Sequence, residues 1–340
     1  MEERRGWGPR AHRSHARRSV LHAINAVDSI PTIPTMQHIR TTAACTREPI
    51  MRFGLSLPNN QGVARIDALV ALAVDAEQRG LDSVWVSEHL FHASYVEQRL
   101  NGAPYHEALT VLTATAVATS RVRLGTSVLV LPWHHPVRLA KTVASLDTLS
   151  GGRVTLGLGV GNAADEYAAL GVDFHQRGRI ADEMLGAMRA LWTEDLPVFS
   201  GKHFNFAGLR FAPKPTQPEL PLWIGGNTNA ALRRVAHHGH GWHPLSVSPA
   251  ELRHGLQTLR RHTDRALRVA VRLMINITDT SWARPVEERK TARGTLEELR
   301  ALFLAYADAG ATDIILDANT PDLSAIRNML DKLQRAGVPG

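Results

Sequence analysis

A (β/α)8 barrel of the TIM type is the fold class this sequence predicts, on three observations. From Met51 onward, apolar, β-branched runs alternate strictly with stretches of helical periodicity. Eight of each fit between residues 51 and 340. The run VLVL at 128–131 is apolar at every position, as in a strand buried on both faces of a parallel sheet. Strict alternation implies parallel strands joined by right-handed crossovers, and eight repeats in this length favour a closed barrel over an open doubly wound sheet.

The elements follow in order. MRFGLSL, 51–57, makes the first strand. The helix over 65–80 carries one apolar stripe, Ile66, Leu69, Val70, Ala73, Val74 and Ala76, and Gly80 ends it. Further strands fall near 83–87, 122–131, 153–159, 221–225, 240–243, 269–277 and 312–317, the sixth being the shortest. Further helices fall near 105–119, 136–149, 176–193, 228–239, 249–265, 295–310 and 322–335. The segment 196–221 interrupts the alternation, because its Pro and Gly content forbids a helix. Its alternating Phe199, Phe204, Phe206 and Phe211 predict a short hairpin insertion, either a wall of the substrate pocket or a surface excursion with its own small core.

Composition narrows the function. The chain has 340 residues, 44% hydrophobic and 21% charged, with a formal charge of +7 and a single cysteine, Cys45. One cysteine excludes an intrachain disulfide and suits a cytoplasmic location. No apolar run is long enough to span a membrane. Residues 1–50 hold eight arginines against four acids, a net of +4, which leaves +3 on the remainder. This segment lacks periodicity and reads as a disordered basic extension. A start assigned too far upstream, favoured by the clean restart at Met51, competes with a genuine tail and a targeting segment, although no secretory apolar core is present. The rest shows no Lys/Arg stripe interleaved with aromatics, so nucleic acid is not an expected partner.

In such a barrel the site lies at the C-terminal ends of the strands. There stand Asn59-Asn60, Ser87-Glu88-His89, Ser127-Val128, Trp133-His134-His135, Gly161-Asn162, Gly225-Gly226-Asn227-Thr228, Trp242-His243 and Asp317. His89 is the general acid/base candidate, since imidazole titrates near neutral pH. IGGNTNAALRR, 224–234, reads as a phosphate grip: Gly225 and Gly226 let the backbone approach an anion, and Asn227 or Thr228 caps the next helix. GLGVGN, 157–162, fails the dinucleotide pattern because Asn162 replaces its third glycine; its glycines leave room for a flat ring at the barrel mouth. The histidines of HHGHGWH are not a metal site: His237, His238 and His240 fall at a helix end and in a loop on the far face from the site.

The motifs MRFGLSLPNNQG, DSVWVSEH, VRLGTSVLVLPWHHPVRLAKTVASLDTLSGGR, GLGVGNAADEYAALGVDFHQRGR, PLWIGGNTNAALRR and DIILD occur in this order across 51–340. This pattern resembles the bacterial luciferase-like flavin and deazaflavin family, and within it the coenzyme F420-dependent oxidoreductases. The resemblance implies a luciferase-like barrel with a bulge in strand three. There a non-proline cis bond, Ser127-Val128 by position, supports a tricyclic ring, with Trp133, His134 and His135 at the rim. It implies hydride transfer between F420 and a small organic substrate, His89 as acid/base, Glu88 and Asn162 in contact with cofactor, and a homodimer whose cofactor a separate reductase recycles. Where the sugar-phosphate dehydrogenase branch places a glutamate this sequence has Asn162, and where DGW is frequent it has His240-Gly241-Trp242. An FMNH2-dependent monooxygenase fed by a separate reductase is the alternative on the same fold. The acidic tail of F420 would call for cations at the mouth, with Arg138, Lys141 and Arg233 as candidates.

Overall fold

The computed structural model describes residues 51–93 and 95–338. The basic extension 1–50, with every expectation attached to it, lies outside the described residues.

Eight strands close into a ring: β1 Arg52–Ser56, β2 Ser83–Val86, β3 Arg123–Thr126 continued by β4 Leu129–Val130, β5 Val154–Gly159, β8 Leu222–Gly225, β9 Gly241–His243, β10 Arg268–Ile277 and β12 Asp313–Asp317. Every pairing in the ring is parallel, and β10 closes it by bonding β9 on one side and β12 on the other. The hairpin β6 Phe199–Ser200 and β7 Asn205–Phe206 is antiparallel, and β11 Ala292–Gly294 adds to the outer end of β10. The helices are α1 Ile66–Gln78, α2 Tyr95–Leu100, α3 Ala108–Ala118, α4 Pro136–Ser150, α5 Ala164–Ala169, α6 Arg177–Thr193, α7 Asn229–His238, α8 Pro249–Leu259, α9 Leu296–Asp308 and α10 Leu323–Arg335. Their starts are locally encoded. Ser248 with Glu251 and Thr295 with Glu298 form reciprocal capping boxes, and Thr228 and Asp322 cap α7 and α10.

The predicted elements stand within a few residues of these bounds, with three differences. Helix α8 stops at Leu259, where residues 260–263 tighten into turns. The short helices α2 and α5 and the strand β11 fall inside connections the periodicity left blank. Strand three is split by the cis bond Ser127-Val128, after which β4 pairs β5 through Leu129↔Leu158 and Val130↔Gly159.

Helix stripes and outward strand residues form the main core between barrel and helices. A second core lies inside the barrel, where Trp85 and Trp223 stack with ring centroids 5.0 Å apart beside Ala270 and Ile315. Glycine makes room for them. A Cβ at Gly125 would sit 2.2 Å from the Trp85 ring, and one at Gly54 2.6 Å from its Nε1.

The Phe-rich insertion forms its hairpin but does not wall the substrate cavity. The Glu183 carboxylate on α6 accepts the backbone N–H groups of Lys202, His203 and Phe204, which ties the hairpin to the outside of the barrel. Phe199 stacks on Phe206, Phe204 meets His135, and Phe211 is buried under the Lys141 ammonium. The segment is therefore a surface excursion and not a pocket wall, and Phe204, Phe206 and Phe211 pack against the main core instead of forming a small core of their own.

Candidate active site

A cavity of about 550 Å³ opens at the C-terminal ends of the strands. Its walls take residues from the ends of β1, β2, β4, β5, β8, β9, β10 and β12, which the barrel alone brings together. Of the residues singled out in the sequence, Glu88, His89, Ser127, Val128, Asn162, Gly225 and Gly226 line it. Asn227 and Thr228 do not. The Asn227 side chain bridges to the backbone N–H and C=O of Leu245, bracing the loop after β9, and Thr228 accepts from Ala231 N as the α7 cap.

His89 sits at the centre of a hydrogen-bonded line. Its Nδ1 lies 2.6 Å from Oε2 of Glu166, and its Nε2 lies 2.6 Å from the Tyr95 hydroxyl. Glu166, on α5, is fully buried, and its other oxygen accepts the N–H groups of Leu90 and Phe91. A carboxylate can only accept, so Nδ1 carries a proton and Nε2 of the neutral ring receives the Tyr95 hydroxyl. Partial burial and then the Glu166 charge raise the Tyr95 phenol above its ordinary pKa, which keeps it a donor. Tyr95, Tyr105 and Trp133 surround the imidazole at 5.4–5.7 Å between ring centroids.

Glu88 alternates away from His89 and is spent on the bulge. Its carboxylate accepts Val130 N at 2.7 Å and faces His134 Nε2 at 2.8 Å. Burial works against a charged His134, but the hydrogen bond and charge of Glu88 outweigh it and raise the imidazole's pKa. Of the expected rim, Trp133 alone lines the cavity; His134 is held by Glu88, and His135 caps α4 by accepting Val137 N.

The floor is built around the cis bond. Thr126 Oγ1 donates to Gly157 O, and a Cβ at Gly157 would lie 1.9 Å from Thr126 O. A Cβ at Gly159 would lie 2.7 Å from Val128 Cγ2. The glycines of GLGVG thus make room first for the protein's own bulge. Behind it, His243 Nδ1 donates to Ala270 O, so Nε2 accepts the Ser127 hydroxyl at 2.8 Å. Burial pushes the His243 pKa down to about 4. Arg272, paired with Asp317 at 2.8 Å, donates to Ser127 O.

Arg138, Lys141 and Arg233 do not line the cavity; the cations that do are Arg99, Arg272 and Lys290. Sequence reasoning missed Glu166, Tyr95 and Arg272, and it placed His243 at a strand end without its bond to Ser127. For Glu166 the one available signal is an acid and an aromatic, Glu166-Tyr167, just past a glycine-rich strand end. Among the described residues no group of three or more His, Cys, Asp or Glu side chains is placed to hold a metal, and no helix is long and apolar enough to cross a membrane. Of the clustered histidines, His237 and His238 lie on α7 and His240 faces Glu219, while His243 alone reaches the cavity.

The model of the luciferase-like monooxygenase family matches residues 51–284, and the chain belongs to that family. An uncharacterised protein of Mycobacterium tuberculosis is 31% identical over 208 residues, 58% of this chain and 72% of that protein. An F420-dependent glucose-6-phosphate dehydrogenase of Amycolatopsis mediterranei is 35% identical over 188 residues, 54% of this chain and 55% of the relative. In fold, the chain is similar to the monooxygenase RslO1 of Streptomyces bottropensis, with a TM-score of 0.72 and 23% identity over 85% of this chain and 99% of that one.

Proposed function

We propose that this chain is an F420-dependent oxidoreductase that transfers a hydride between the deazaflavin and a small organic substrate, with His89 moving the coupled proton. The observation that carries the reading is the hydrogen-bonded line from buried Glu166 through His89 to the exposed Tyr95 at the cavity. Support for the cofactor comes from the F420-dependent relative.

The residues present fit such a group. The cavity volume is in the range that takes a cofactor-sized ring, mostly apolar at its floor with a few directed polar groups. The Trp133 indole N–H is buried there with no partner among the described residues, a donor left for a ligand. Val128, Gly159 and Gly225 would support the ring, and Arg99 would meet an anionic tail, while Lys290 is paired with Glu251 at 2.6 Å. When bound, the deazaflavin supplies two-electron hydride chemistry.

The protein's own part is proton transfer and orientation. A substrate C–OH that gives up a hydride must also lose its hydroxyl proton. The Tyr95 hydroxyl accepts that proton as it passes its own to Nε2 of His89, and the Glu166 carboxylate stabilises the imidazolium while fixing the ring. In the reverse direction Nε2 returns it through the same hydroxyl. Asn162 offers a neutral amide to the cavity, so sugar-phosphate oxidation is not part of the reading. The resemblance extends the proposal to a cytoplasmic homodimer whose cofactor a separate reductase recycles.

Anaerobic titration of the chain with F420H2 and FMNH2 side by side, followed by fluorescence and absorbance, tests the proposal. Preferential F420H2 binding is expected. Preferential FMNH2 binding would assign the site to an oxygen-dependent monooxygenase instead, and affinity for neither would reject both.

A further inference from the structure

The barrel holds a second cavity, of about 240 Å³, at the opposite end from the active site. It is lined where strands begin, by Arg52 on β1, Asp82 and Ser83 at β2, Arg123 on β3, Arg268 on β10 and Asp313 on β12. The stacked Trp85 and Trp223 form its roof. Trp85 also lies near His243, which lines the upper cavity, so the indole pair fills the barrel between the two chambers.

The charges in this chamber do not cancel. Asp313 accepts from Arg268 at 2.7 Å and from Thr312 Oγ1, and Asp82 accepts Phe53 N. Arg268 is thereby neutralised, whereas Asp82 meets only a backbone N–H and keeps its charge, so the three guanidiniums and two carboxylates leave the chamber at a net +1. Arg123 has no carboxylate: its Nε and Nη2 donate to Thr155 Oγ1, Val154 O and Gln217 Oε1, and its Nη1 has no partner among the described residues. The Arg52 side chain makes no hydrogen bond or ion pair among the described residues. Burial first and the neighbouring Arg52 charge next depress the Arg123 guanidinium below its ordinary pKa. Two unpaired guanidiniums converging on a small cavity form an arrangement that an anion stabilises. A guanidinium presents its N–H groups in a planar fork that suits the oxygens of a tetrahedral oxyanion.

We propose that this lower chamber is a binding site for a small tetrahedral oxyanion, phosphate in chemical class, held between Arg52 and Arg123. It is separate from the active site, and no residue lines both cavities. Strand beginnings in barrels of this kind ordinarily serve stability. A ligand here would therefore act on the fold rather than on the chemistry, by mass action on the folded state.

The test is calorimetric titration of the full chain with inorganic phosphate, against chloride at matched ionic strength, with tryptophan fluorescence followed in parallel. Saturable single-site binding is expected, with a fluorescence change from the indole roof. Affinity should fall about tenfold or more in Arg52→Gln, the loss of one charge-assisted contact. Arg52 is exposed and its replacement leaves the core intact. Arg99→Gln, at the upper cavity, should bind phosphate as the wild type does. No saturable binding, equal affinity in Arg52→Gln, or a loss in Arg99→Gln would each overturn the proposal, the last by placing the anion in the upper cavity.

Discussion

Acidification should loosen the active-site floor through His243. Its pKa is held near 4 by burial, against about 6.5 for an unfolded histidine. The unfolded chain therefore binds a proton that the folded chain refuses throughout the interval between those values. Stability rises with pH wherever the unfolded state binds more protons, so the contribution is complete above the unfolded pKa and is lost as pH falls towards 4. Integrating between about pH 7.5 and about pH 5 gives a loss of about 2 kcal/mol for this one group. The mechanism is local. The neutral ring accepts the Ser127 hydroxyl at Nε2 and donates to Ala270 O at Nδ1, and a second proton would turn that acceptor into a donor beside the Arg272 guanidinium. His238, also held near 4, titrates in the same window, so the wild type alone does not isolate the effect. Urea unfolding of wild type and His243→Gln at both pH values does, because glutamine keeps an acceptor for Ser127 but cannot titrate. The wild type should lose about 2 kcal/mol more than the variant on acidification. Parallel pH dependence in the two proteins would refute the assignment.

Three further outcomes follow from the site and the barrel. His89→Asn should lower turnover about 100-fold or more while cofactor affinity stays within a few-fold, and collapse of affinity with turnover per bound cofactor intact would deny His89 its proton-transfer role. Glu166→Gln keeps an acceptor for Leu90 N and Phe91 N but turns a donor towards Nδ1 of His89, forcing the ring proton to Nε2. Turnover should fall about 100-fold with little change in urea midpoint, and unchanged turnover would show that the carboxylate is only structural. Gly125→Ala places a methyl 2.2 Å from the Trp85 ring, and equilibrium unfolding should show a loss of about 3 kcal/mol, or failure to fold.

The barrel was legible because its signal is repeated and local: apolar runs, one-sided helical stripes and capping residues each mark their own element. His89 was legible for the same reason, as a titratable residue at a strand end. Glu166 was not, since it lies 77 residues from His89 and meets it only when β2, the split strand β3–β4 and β5 stand side by side in the closed barrel. His243 was placed at a strand end, but its bond to Ser127, 116 residues away, was hidden for the same reason. Glu88 shows a second limit. Its place at the cavity follows from its adjacency to His89, but its bonds to Val130 N and His134 reach across 42 and 46 residues to the bulge and do not show in the sequence. The glycines of GLGVG point the same way: their spacing is visible, but Thr126 O and Val128, the neighbours that demand it, come from another strand.

The indole pair inside the barrel has an optical consequence. Trp85 and Trp223 belong to different strands, β2 and β8, and stack at 5.0 Å with 27° between their planes. Two aromatic transitions held that close and at a fixed angle couple, and the coupled bands give a signed pair in the near-ultraviolet circular dichroism spectrum. The signal depends on the distance across the barrel and not on helix content. It will vanish when the staves slip even if secondary structure persists, which makes it a built-in gauge of closure.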